Sequence, residues 1–328
     1  MTRNTLLALG GGALSALLYV STLAGSLGAL FLVLMAALPL FLVGLSRGLG
    51  ARGALIAGGC GTLLVALAAG PWVAGNFALA EAVPAYCFVR QAALGRTQAD
   101  GSVEWYPEGR LVALLSLYAA VAFVAFMIAF ANAPGGLEGE LETLFRSMGN
   151  AFGLAQAPAA AQNMMRELVS LLPGLGAGAW VLIVTGNAWL AQGLLVRGHY
   201  NLRPTQPLLA YALPKPLAIA VALAAAAGLL FPDTVGFAGK NLCLILAMPY
   251  VFAGVALMHA LILRTSARRG AMVGLYTSLA VAVVVLSWFA ILALAGLGYI
   301  DQIAGLKGRL VRPGSGPSAG PGPNGSQE

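Results

Sequence analysis

Long apolar runs alternate along the chain with short polar and basic intervals, and the runs have the length of a bilayer crossing. A hydrocarbon core of ~30 Å takes about 20 residues of helix, and lipid requires every backbone polar group to be satisfied inside the segment. Windows of that length predict nine spanning helices, at residues 6–23, 27–45, 54–69, 73–92, 111–131, 175–196, 208–230, 237–263 and 271–297. The third and fourth windows are the least apolar, so eight crossings is the alternative. The expected fold is all-α, a polytopic transmembrane helical bundle over residues 1–304.

The longest polar interval, 133–173, opens with Glu138, Glu140 and Glu142 and continues with Leu144, Phe145, Met148, Phe152 and Leu154 at helical spacing. That pattern predicts an amphipathic helix on the extracytoplasmic surface, followed by a second short helix at 160–172. Residues 305–328, rich in Gly, Pro and Ser from 313 on, predict a disordered tail. The first window imitates a signal peptide, but a second apolar run follows at once and a retained helical hairpin explains both.

Composition agrees with the pattern. The chain is 59% hydrophobic and 9% charged, with a mean hydropathy of +0.86, against roughly 45–50% apolar and 25% charged in soluble domains. The net charge of +7 does not point to a nucleic-acid partner, because the basic residues sit between apolar runs rather than on one face or stripe. With the N-terminus in the cytoplasm, alternate loops place Arg3, Arg47, Arg52, Arg90, Arg96, Arg110, Arg197, Arg203, Lys215, Arg264, Arg268 and Arg269 inside, against Arg146, Arg166 and Lys240 outside. This asymmetry predicts a multi-pass protein of a bacterial inner membrane, N-terminus cytoplasmic. Nine crossings then leave Lys307, Arg309 and Arg312 outside, which opposes the same rule and leaves the parity open.

Few motifs carry chemistry. Gly48, Gly50 and Gly53 have dinucleotide-fingerprint spacing but join two apolar helices, so they read as a tight turn. There is no phosphate-binding GxxxxGK[ST] loop, HExxH or GxSxG, and Cys60, Cys87 and Cys243 lack partners at ligand spacing. No cofactor, metal site or catalytic motif is expected, and any driven work requires a separate motor.

Ionisable groups in lipid cost about 2.5–3.5 kcal/mol on insertion scales, which singles out the polar residues inside windows. Glu81, three residues before Pro84, is the most conspicuous. It is a candidate ligand-binding residue, or a structural carboxylate that pairs with an arginine or caps the broken helix. Asn187 binds ligand or donates between helices, and His259 is a satisfied histidine or a proton relay. Ala8, Gly12 and Ala16 give the first helix a small-residue docking face, either for another helix of the chain or for a membrane partner.

Several stretches together resemble the YybS-like family of bacterial membrane proteins (DUF 2232), distantly similar to the substrate-binding S-components of energy-coupling-factor transporters. They are Ala37-Leu38-Pro39 with the turn at 44–52, the segment 81–90, Trp105 with Gly109-Arg110, Trp180 and Asn187, and the segments 211–216, 254–259 and 297–302. The resemblance implies an S-component-like bundle that binds a small molecule, with a membrane coupling partner docked on a face like that of Ala8, Gly12 and Ala16. The ligand is unknown. The reading is a small-molecule-binding membrane subunit of transporter type without its own ATPase. The alternative is a non-transporting scaffold or regulator of an envelope process, and a membrane-embedded enzyme ranks third.

Overall fold

The computed structural model describes residues 2–151, 158–265, 268–286 and 288–311. They form an all-helical bundle with one small antiparallel hairpin, β1 (Gly95–Thr97) with β2 (Val103–Trp105). Seven helical segments are long and apolar enough to cross a membrane, and Lys215–Leu230 and Trp288–Ala304 are shorter apolar helices. The outward faces carry exposed Leu17, Leu67, Ile128, Leu223 and Leu229, an apolar exterior that suits lipid and not water.

Helix α1 (Arg3–Val20) starts where the Thr2 side chain accepts from the Thr5 N–H. The second window is broken into α2 (Leu27–Val33) and α3 (Ala37–Gly44). The turn to α4 (Gly50–Ala69) is made by Gly48 and Gly50, both at positive φ, so the fingerprint-like spacing is a turn, as its setting between apolar helices predicts. Gly70 at φ +88° followed by Pro71 stops α4 and starts the next helix, the order of residues that ends one helix and begins another. That helix runs as α5 (Pro71–Phe77), a π-helical turn (Ala78–Ala82) and α6 (Val83–Ala92). The third and fourth windows are therefore separate helices folded back on each other.

After the β hairpin come α7 (Glu108–Ala129) and α8 (Gly136–Ala151), the latter matching the predicted amphipathic helix; Phe152 and Leu154 lie outside the described residues. Glu142 of α8 pairs with Arg146 at 2.9 Å and faces Arg166 at 3.8 Å. The expected short helix at 160–172 is not separate. It continues through Pro173 into α9 (Ala159–Arg197), 39 residues long. Proline removes one ladder donor and normally breaks a helix. Here Asn241 repairs the gap: its side-chain oxygen accepts from the Gly174 N–H at 2.6 Å and its amide donates to the Ser170 carbonyl at 2.9 Å.

Helices α10 (Lys215–Leu230) and α11 (Asp233–Ile262) pack closely, Gly228 against the backbone of Lys240. The ninth window is two helices, α12 (Arg268–Leu286) and α13 (Trp288–Ala304), followed by α14 (Leu306–Val311). A straight helix over 268–304 would be about 55 Å long. Yet Arg264, just before α12, donates to the Leu310 carbonyl at 2.9 Å, and Lys307 donates to the Tyr211 carbonyl. The chain must reverse between these points, so α12 leaves one end of the bundle and α13 returns to it. This overturns the single crossing expected at 271–297: hydropathy registers apolar length and carries no information on direction. Residues 306–311, expected within the disordered tail, are helical because Leu306, Leu310 and Val311 are apolar and Asp301 accepts from the Lys307 N–H at 2.6 Å; residues 312–328 lie outside the described residues.

One end of the bundle is consequently continuous. The Asn4 amide donates to the Gly48 carbonyl at 3.2 Å, Arg47 N–H to Tyr200 at 2.6 Å, and Leu202 N–H to Leu45 at 2.8 Å. The N-terminus, the α3–α4 turn, the β hairpin, the 198–214 loop and residues 307–310 all meet there.

Candidate functional site

Glu81 sits on the π-helical turn, where Pro84 supplies no backbone donor and the Val83 N–H reaches back five residues to the Ala78 carbonyl. The carbonyls of Leu79 and Ala80 are thereby freed. Each is taken by a side chain from a neighbouring helix: the Tyr118 hydroxyl donates to Leu79 at 2.7 Å, and the Trp180 indole N–H donates to Ala80 at 3.0 Å. The two rings lie 5.8 Å apart. The Glu81 side chain is buried, and no described residue gives its carboxylate a hydrogen bond or ion pair. Tyr19, whose ring packs edge-on against Phe77 at 5.1 Å, lies within electrostatic reach of it. A π turn leaves backbone groups open and is frequent at functional positions. Here the open backbone is covered and only the carboxylate is left over.

Asn187 does not join this site. Its amide donates to the Leu34 carbonyl at 2.7 Å and to Ile183 at 2.9 Å, so it covers the break between α2 and α3, with Ser15 covering the Ala36 carbonyl at 2.6 Å. The same device recurs at Pro249 in α11. That proline leaves the Ile245 carbonyl without its helical donor, and the Ser116 hydroxyl donates to it at 2.7 Å. His259 stands at the far end of α11, its Nδ1 3.4 Å from the Tyr276 hydroxyl. Ala8, Gly12 and Ala16 are buried against α4, where a Cβ on Gly12 would meet the Ala57 carbonyl. The docking face is occupied within the chain.

A second polar cluster lies at the continuous end, built on a residue that reads from the sequence only as one basic loop position. Arg203 is 3% exposed. Its Nη1 donates to the Tyr106 carbonyl at 3.0 Å and to Ala92 at 3.4 Å, and its Nη2 is 3.7 Å from Glu108 Oε1. Glu108 and Gln206 exchange two bonds, each backbone N–H donating to the other's side-chain oxygen at 3.2 Å. Gln192 donates to the Arg203 carbonyl at 2.7 Å. Burial lowers the Arg203 pKa, and the nearby Glu108 acts in the opposite direction. The cluster borders a cavity of about 20 Å³ whose walls include Phe88, Ala92, Leu111 and Trp189. Its trace in the sequence is slight: an arginine beside Pro204, in a loop that must cover the carbonyls at the end of α6.

A family model described as "Predicted membrane protein (DUF2232)" matches residues 13–302. No curated protein and no solved structure matches the chain.

Proposed function

The chain belongs to the DUF2232 family of predicted membrane proteins, and on that premise we propose that it is a multi-pass protein of a bacterial cytoplasmic membrane that binds a small ligand at Glu81. The continuous end is placed in the cytoplasm. It carries Arg3, Arg47, Arg52, Arg203 and Arg264, and the reversal at α12–α13 adds Lys307 and Arg309 to the same side, which removes the conflict with the bias of basic residues toward cytoplasmic loops. Eight crossings, from α1 to α11, then precede a hairpin that returns to the cytoplasmic face. A green fluorescent protein fused after Glu328 is expected to fluoresce and an alkaline phosphatase there to be inactive. The reverse pair of results overturns this orientation.

The ligand reading rests on one observation, a largely buried carboxylate with no hydrogen bond from the described residues, on a turn whose freed carbonyls at Leu79 and Ala80 are both covered. Such a charge is uncompensated until a proton or a cationic, hydrogen-donating ligand meets it. Transport, if the bound molecule is moved, requires motor subunits from other chains. Purified protein in nanodiscs is expected to show a thermal shift with at least one member of a panel of cationic vitamins and nucleosides, lost in Glu81→Gln. Absence of any shift, together with failure of dicyclohexylcarbodiimide to label Glu81, overturns the reading.

The use of Asn187 and of Ala8, Gly12 and Ala16 in packing favours a second reading, a membrane scaffold or regulator. Partners that co-purify equally with wild type and Glu81→Gln would support it.

A further inference from the structure

We propose that the cavity beside Arg203 is a built hydration site, holding one or two water molecules that complete the Arg203–Glu108–Gln192 network. The cavity is about 20 Å³. A single water needs roughly 10–15 Å³, whereas small-molecule pockets run to about 300 Å³ and more. Two of the residues that line it each bury an atom with no hydrogen-bond partner: Arg203 Nη2, a donor whose only charged neighbour, Glu108, is 3.7 Å away, and Gln192 Oε1, an acceptor. Both residues are more than nine-tenths buried, at 3% and 7% exposure.

The occupant must therefore accept from one side and donate to the other. An anion meets the Gln192 oxygen and the Glu108 carboxylate, acceptors both. A cation meets the Arg203 guanidinium and has nothing to offer it. Water satisfies Nη2 with a lone pair and Oε1 with a hydrogen, and keeps a second hydrogen for Glu108. Leaving either atom unpaired costs about 1–3 kcal/mol, more for the charged group.

The position gives the site a further consequence. Phe88 and Ala92 line it from α6, the helix that carries Glu81 on its preceding π turn, and Ala92 lies about 16 Å along that helix from Glu81. Water from the basic end thus reaches as far as Phe88, whose ring packs edge-on against Phe41 at 5.3 Å. The inference stands whether or not Glu81 binds a ligand.

Synchrotron radiolytic footprinting of wild-type protein in nanodiscs tests it, because an ordered water is activated where it sits. Phe88, 5% exposed, is expected to oxidise severalfold faster than its ring neighbour Phe41, at 0%. Gln192→Leu should abolish that excess. Equal, slow oxidation of the two rings in wild type overturns the proposal, as does native mass spectrometry that finds a retained organic molecule whose removal is needed for Phe88 to label. The wild-type comparison decides the matter even if Gln192→Leu fails to fold.

Discussion

Arg203 and Glu81 are both withdrawn from bulk water, and the chain treats them in opposite ways. Around Arg203 it assembles two carbonyls, a carboxylate and a reciprocal Glu108–Gln206 pair from three separate segments. Around Glu81 it covers the neighbouring carbonyls of Leu79 and Ala80 and gives the acid itself nothing. The contrast separates structural burial of charge from burial retained for another purpose. The chain's other buried irregularities resemble the first case: Asn241 at Pro173, Ser116 at Pro249 and Asn187 at the α2–α3 break each meet an open backbone group. Among the buried charged side chains of the described residues, Arg203 and Asp301 each hold hydrogen bonds and Glu81 holds none.

Removing the guanidinium should have the largest effect. Arg203→Met leaves a half-buried Glu108 without its cation and two carbonyls without the Arg203 donor, and each buried group left unsatisfied costs about 1–3 kcal/mol. Thermal unfolding in nanodiscs should show a large drop in midpoint, or no folded protein at all. A wild-type midpoint would place Arg203 in the same class as Glu81 and break the comparison.

Asn241→Ala comes next. It removes the acceptor for Gly174 and the donors to Ser170 and Phe237, and about 2 kcal/mol is expected, since each unsatisfied buried backbone group costs about 1–3 kcal/mol before relaxation. Amide exchange should accelerate locally around residues 170–174 while the rest of α9 stays protected. Uniform exchange along α9 would show that the splice is dispensable. Trp180→Phe keeps an aromatic ring, smaller than the indole, and loses one hydrogen bond to Ala80. Interhelical bonds in membranes average about 0.6 kcal/mol, so a midpoint fall of a degree or two is the expected reading.

Much of this architecture is legible in the apolar pattern, and the reasons for the exceptions are physical. Windows of bilayer length locate α1, α4, α7, α9, α10 and α11, because lipid tolerates little except apolar helix there. The pattern cannot register the reversal between α12 and α13, since both arms are equally apolar and only the contacts of Arg264 and Lys307 reveal it. Glu81 stands out because an acidic residue inside an apolar window is rare. Asn241 and Arg203 do not, because each lies near a helix end or loop where polar residues are ordinary, and their meaning depends on a proline or a carbonyl brought in from 67 or more residues away. Asn187 is conspicuous in sequence for a reason that turns out to be a broken helix on another segment.

The smallest stability change belongs to Glu81→Gln, and it is the most discriminating for that reason. If Glu81 were a structural ion, its neutral isostere would cost as much as Arg203→Met. No described partner is lost, so the change should fall within about 0.5 kcal/mol of wild type, the range of substitutions that break no specific feature, or should stabilise the fold by relieving an uncompensated charge. Stability and reactivity should therefore part company: the midpoint stays, while dicyclohexylcarbodiimide labelling, which needs a carboxyl in an apolar setting, disappears from the intact mass. A large loss of stability in Glu81→Gln would mean that the carboxylate is bonded within the protein after all. The difference between the two buried charges would then be one of degree, and the ligand reading would lose its support.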